Sequence, residues 1–99
     1  MASINNTKFK VLELNGKNYQ TWALDCEFHL QAMQLTPTIA RPAAGVPVPP
    51  PHNKAKAFIF LRHHIHTDLK MEYLEVKDPL VLWVKLQERF GKQKAVLLS

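Results

Sequence analysis

Histidines 63, 64 and 66 are the residues of this chain that look most like the start of a reactive site, with His52 and Asp68 near them in sequence. On a helix, His63 and His66 are three apart and share a surface. A zinc site needs three or four convergent ligands. The chain has no HExxH and no cysteine at ligand spacing, so a polar helix surface or a pH-sensitive contact is expected, and no metal. The single cysteine, Cys26, falls on an apolar helical stripe beside Trp22 and Leu30, the setting of a buried small hydrophobe and not of a nucleophile. Glycine occurs only at 16, 45 and 91, which leaves no phosphate-cradling loop and no GxSxG elbow. The aspartates read Asp25-Cys-Glu, Asp68-Leu-Lys and Asp78-Pro-Leu, none of them the Asp-Thr/Ser-Gly of an aspartic protease. No catalytic constellation assembles, and the expectation is a non-enzyme with no cofactor and no small-molecule substrate.

Charge offers a second kind of chemistry. Thirteen Lys/Arg against eight Asp/Glu give a net charge of +5, which suits contact with nucleic acid or another anionic surface. Arg62, Lys85, Arg89, Lys92 and Lys94 are the candidates for a basic face, and Lys85 and Arg89 share one side of a helix. The basic residues are scattered, however, and Trp22, Trp83 and Phe90 fall on core stripes and not on base-stacking platforms. Any RNA contact is therefore expected to be weak and non-specific.

The elements that would position these groups read as helices. Residues 78 to 91, DPLVLWVKLQERFG, carry an Asp cap, Pro at the first helical position and a terminal glycine expected to turn left-handed. Leu82, Trp83, Leu86 and Phe90 lie within about 100° of a helical wheel, the width of a core-facing stripe. Asn18 is expected to cap a helix from Tyr19 to Gln34, with Tyr19, Trp22, Ala23, Cys26, Leu30 and Met33 on one stripe. Leu24, Phe28 and Leu35 form a second apolar stripe nearly opposite. A third helix restarts at Asn53, with Ala57, Phe58, Leu61, Ile65 and Leu69 on one face and Ile59 and Phe60 elsewhere, the pattern of a central and most buried helix. Thr67 is expected to cap a short helix to about Leu74. Residues 37–52 hold six of the seven prolines and read as a semi-rigid connector. Its VPVPPP also resembles a short SH3 or WW ligand. Upstream, residues 8–14 form a short extended segment that packs on the helices, followed by an Asn15-Gly16 turn.

These elements define an all-α fold, a small bundle of four to five helices with a short extended N-terminal segment and the Pro-rich connector. Residues 1–8 are expected to be a flexible N-terminus and 9–99 one helical domain around Trp22, Leu61, Ile65, Trp83, Leu86 and Phe90. At 46% apolar and 21% charged residues, the composition is globular and not disordered. No apolar run approaches the roughly 20 residues of a membrane span. One cysteine excludes an internal disulfide and MASINNTKFK lacks an apolar signal region, so an intracellular, cytoplasmic protein is expected.

Three motifs in order carry a family resemblance: L-N-G-x-N-Y-x-x-W at Leu14, Asn15, Gly16, Asn18, Tyr19 and Trp22; A-K-A-x-I-F-L-R-H-H at Ala55 to His64; and D-L-K-x-E-Y-L-x-V-K-D-P-x-x-L-W-x-x-L-x-x-R-F from Asp68 to Phe90. Together they resemble the N-terminal Gag region of plant copia-type LTR retrotransposon polyproteins, over most of Phe9 to Leu98. The resemblance implies a capsid-like helical domain whose copies associate around element RNA. The family continues with further helices and a zinc knuckle that this chain does not show, the pattern of a truncated or domesticated copy. Its 37–52 segment is also richer in proline than the family pattern.

Unpartnered apolar residues point the same way. A helix apolar on two sides must be sandwiched or meet another chain, and Val96, Leu97 and Leu98 have no following helix to cover them. Leu24, Phe28, Leu35, Val96, Leu97 and Leu98 are the expected contacts of a homo-oligomer. The alternative is a basic RNA-binding module.

Overall fold

The computed structural model describes residues 9–91, and the expectations for 1–8 and for Val96, Leu97 and Leu98 lie outside them. The fold is all-α, with four helices among the described residues: α1 (Tyr19–Ala32), α2 (Pro51–His63), α3 (Thr67–Glu72) and α4 (Pro79–Phe90). A 3-10 turn, Thr36–Ile39, packs against α1, α2 and α4.

Each helix boundary has a local cause. Asp78 Oδ1 accepts a hydrogen bond from Leu80 N at 2.8 Å and Pro79 opens α4, as the sequence pattern requires. Gly91 does not turn left-handed as expected: its φ of −65° and ψ of −22° stay right-handed and helical. Asn18 precedes α1 but does not cap it. Its side chain instead accepts from Glu13 N and donates to Val11 O, both at 2.9 Å, and so ties the upstream segment to the helix start. At α3 the cap is His66, whose Nδ1 accepts from Asp68 N at 3.0 Å, and Thr67 is the first helical residue. The connector is shorter than the proline count implies, because Thr36–Ile39 fold into the 3-10 turn and Pro51 already starts α2.

The core gathers one face from each helix. Tyr19, Trp22, Cys26 and Leu30 of α1 meet Ala57 and Leu61 of α2, Leu69 of α3, and Leu82, Trp83, Leu86 and Phe90 of α4. All six residues expected at the core, Trp22, Leu61, Ile65, Trp83, Leu86 and Phe90, are buried there. Leu12 closes the core from the extended segment. It makes a single parallel bridge to Ile65, donating to His64 O and accepting from His66 N at 2.9 Å each. The α2 helix is not the most buried element: only Ala57 and Leu61 are buried, Phe58 and Phe60 are half-covered, and Ile59 is exposed. That central role belongs to α4.

Candidate functional site

The α1–α4 contact is the frame on which the candidate surface is built. The helices pair through Tyr19 with Phe90, ring centroids 6.2 Å apart, and Trp22 with Trp83, 5.9 Å apart. Since 19 lies opposite 90 and 22 opposite 83, the two helices run antiparallel. Trp22 is held in place by its indole Nε1–H, which donates to His64 O at 2.7 Å, so its one polar atom is satisfied within the core.

Alongside this contact runs an open groove of about 1050 Å³. Tyr19, Ala23, Leu24 and Trp83 supply its apolar part, and Gln20, Thr21, Glu27, Gln87, Glu88 and Gly91 complete the lining. The Tyr19 hydroxyl ionises with difficulty: burial, then the Glu27 carboxylate and Cys26, push its pKa up to about 12. Cys26 lies beneath, fully buried, and burial together with Asp25 and Glu27 holds its thiol well above the usual range, the state of an inert packing group.

On the outward side of α1, Leu24 is 51% exposed and Phe28 60% exposed, one turn apart. Leu35, the third member of the expected stripe, is not on that face. The helix ends at Ala32, and Gln34 adopts a left-handed φ of 61° that swings Leu35 inward. Leu35 N donates to Leu30 O at 2.7 Å, and its side chain is 2% exposed. Leu35 is core, and the exposed stripe within the described residues is Leu24 with Phe28. Sequence reasoning overlooked the groove, whose Tyr19, Ala23 and Trp83 it assigned wholly to the core. The flanking Gln87 and Glu88, polar beside a Trp on one helix, were the available signal.

Among the described residues, the basic candidates do not converge. Arg89 is committed within the chain: its guanidinium donates to Glu72 Oε2 at 2.5 Å, to Glu72 Oε1 at 3.3 Å and to the Tyr73 hydroxyl at 3.2 Å, and lies over the Phe90 ring. Lys85, one turn before it, is exposed on α4. Arg62 sits half-covered near the end of α2, and Lys92 and Lys94 lie outside the described residues. The histidines also separate by role. His64 Nδ1 bonds to Phe60 O at 2.6 Å and its ring packs on Phe9 and Phe60, while His66 serves as the α3 cap. Among the described residues, no group of three or more His, Cys, Asp or Glu is placed to hold a metal ion. Nor is any described helix long and apolar enough to cross a membrane.

Comparison with family models, with curated proteins and with solved structures finds no match to this chain.

Proposed function

We propose that this chain is a structural, self-associating domain, capsid-like in the sense of a copia-type Gag protein, whose work is to contact further copies of itself. The observation that carries the reading is the pair Leu24 and Phe28, two large apolar side chains half or more exposed on one face of an otherwise well-packed helix. Isolated apolar side chains on a surface are ordinary, but two of them one helical turn apart beside an open groove are the pattern of a protein contact. The three Gag-like motifs support the same reading. They also explain the core, because Tyr19, Trp22, Leu61, Leu69, Leu82, Trp83, Leu86 and Phe90 of those motifs are the side chains that pack it. The role is structural and cytoplasmic, with no chemical step assigned to any residue. Light scattering across micromolar concentrations tests it: mass should rise with concentration, and Leu24→Asp with Phe28→Asp should return the protein to monomer.

RNA binding is the second reading, supported by the net charge of +5. Arg89 is paired with Glu72 at the surface, and weak, salt-sensitive and non-specific binding is what the charge supports. Titration with single-stranded RNA through a salt series distinguishes the two readings.

A further inference from the structure

We propose that residues 46–50, Val-Pro-Val-Pro-Pro, are a preformed polyproline ligand for a partner protein that carries an aromatic-lined groove of the SH3 kind. The inference does not depend on self-association, and it gives the Pro-rich connector a role beyond spacing the helices.

The backbone is the first observation. Proline fixes its own φ at about −65° and pushes the residue before it into the extended region. Each of residues 46–50 is a proline, precedes one, or both. Polyproline II is the regular conformation this leaves open to the strip. Pro50 has φ −61° and ψ 151°, and residues 47–50 belong to no helix or strand. Both ends are anchored. Val46 N donates to Ala43 O at 3.1 Å across a turn in which Gly45 takes φ +80°, and Pro50 is the residue from which α2 starts. Binding therefore has little backbone left to order.

The second observation is what the strip shows to solvent. Polyproline II turns once in about three residues, so Pro47 and Pro50 share one edge and Val46 and Pro49 the next. Pro47 and Pro50 are exposed, Val46 is 58% exposed and Pro49 is half-buried. Val48, on the third edge, is 73% exposed. The pairs Val46-Pro47 and Pro49-Pro50 stand one turn apart and give the PxxP spacing that aromatic-lined grooves read. Among the described residues no donor reaches the carbonyls of Pro47, Val48 or Pro49. They stand ready for the indole N–H and phenol O–H groups that line such a groove.

Charge narrows the partner. Between Phe28 and Thr67 the chain has no Asp or Glu, whereas Arg41, Lys54, Lys56 and Arg62 all fall there. Arg41 and Lys56 are exposed, and Lys54 lies 4.0 Å from the Asp78 carboxylate. A groove rimmed by carboxylates complements these flanks, and a basic one does not.

Calorimetric titration of the full chain into a panel of purified SH3 domains tests this, with purified WW domains run in parallel. At least one SH3 domain should bind with a micromolar Kd. Pro47→Ala and Pro50→Ala should each weaken that binding by about ten-fold or more, while Val48→Ala, on the third edge, should stay near the wild type. Thermal unfolding confirms that each variant is folded, and Pro47→Ala, which leaves the start of α2 intact, decides the matter if Pro50→Ala is not. Absence of binding across the SH3 panel overturns the proposal. So does binding that Pro47→Ala leaves unchanged, or binding by WW domains alone.

Discussion

Trp22 and Trp83 lie with ring centroids 5.9 Å apart and ring planes 31° apart, joining the first helix to the last across about sixty residues of chain. Both are buried, and the Trp22 indole reaches further to His64 O, so one side chain links α1 and α4 to the bridge where Leu12 meets Ile65. Truncating Trp83 to alanine removes its half of that contact. Trp83→Ala should cost about 3–5 kcal/mol, a large part of the stability of a domain this size. Urea denaturation followed by circular dichroism measures it, and an unchanged midpoint would mean that the indole carries little of the core.

The turn that precedes α1 depends on a glycine. Gly16 has φ +72°, and a Cβ built there would stand 2.0 Å from Phe90 Cδ1. Gly45, in the connector, has a similar φ of +80° with nothing within 4 Å of that position. Alanine at either site meets the left-handed penalty of about 1–2 kcal/mol. Only at Gly16 must Phe90 also be displaced from the core. Gly16→Ala should therefore destabilise well beyond Gly45→Ala, and equal melting temperatures for the two variants would contradict the placement of Phe90.

Tyr19 gives the fold a defined alkaline limit. Its pKa rises from an unfolded value of about 10 to about 12 in the folded state, chiefly because burial penalises the phenolate. In that window the native state holds a proton that the unfolded chain releases. The contribution is therefore complete below pH 10 and is lost as pH rises toward 12. Denaturation measured from pH 9 to 12 should show falling stability, with a shallower fall in Tyr19→Phe. Identical slopes would place the hydroxyl in water.

Much of this arrangement could be read directly from residue order. In α4 the start signal and the apolar stripe agree, and Asp78, Pro79, Leu82, Trp83, Leu86 and Phe90 take the expected positions. The errors fall where a backbone angle departs from its residue's usual preference. Gln34 is left-handed although it is not glycine, which no propensity signals, and that one residue moves Leu35 from surface to core. Gly91 errs in the opposite sense, helical where glycine commonly ends a helix by turning left-handed. Tertiary partners account for the rest. Asn18 bonds to the upstream segment and not to its own helix, and Arg89 finds Glu72 seventeen residues away. The α1–α4 groove arises from two helices packed together, and its one local cue is Gln87 and Glu88 beside Trp83 on α4.

The exposed pair on α1 leads to the most direct measurement. Sedimentation velocity on the full chain should show an average mass that climbs with concentration through the micromolar range. Leu24→Asp with Phe28→Asp, both on solvent-facing positions, should abolish that rise while leaving the thermal unfolding transition within a few degrees of the wild type. A wild-type protein that sediments as a monomer at every concentration would contradict the account.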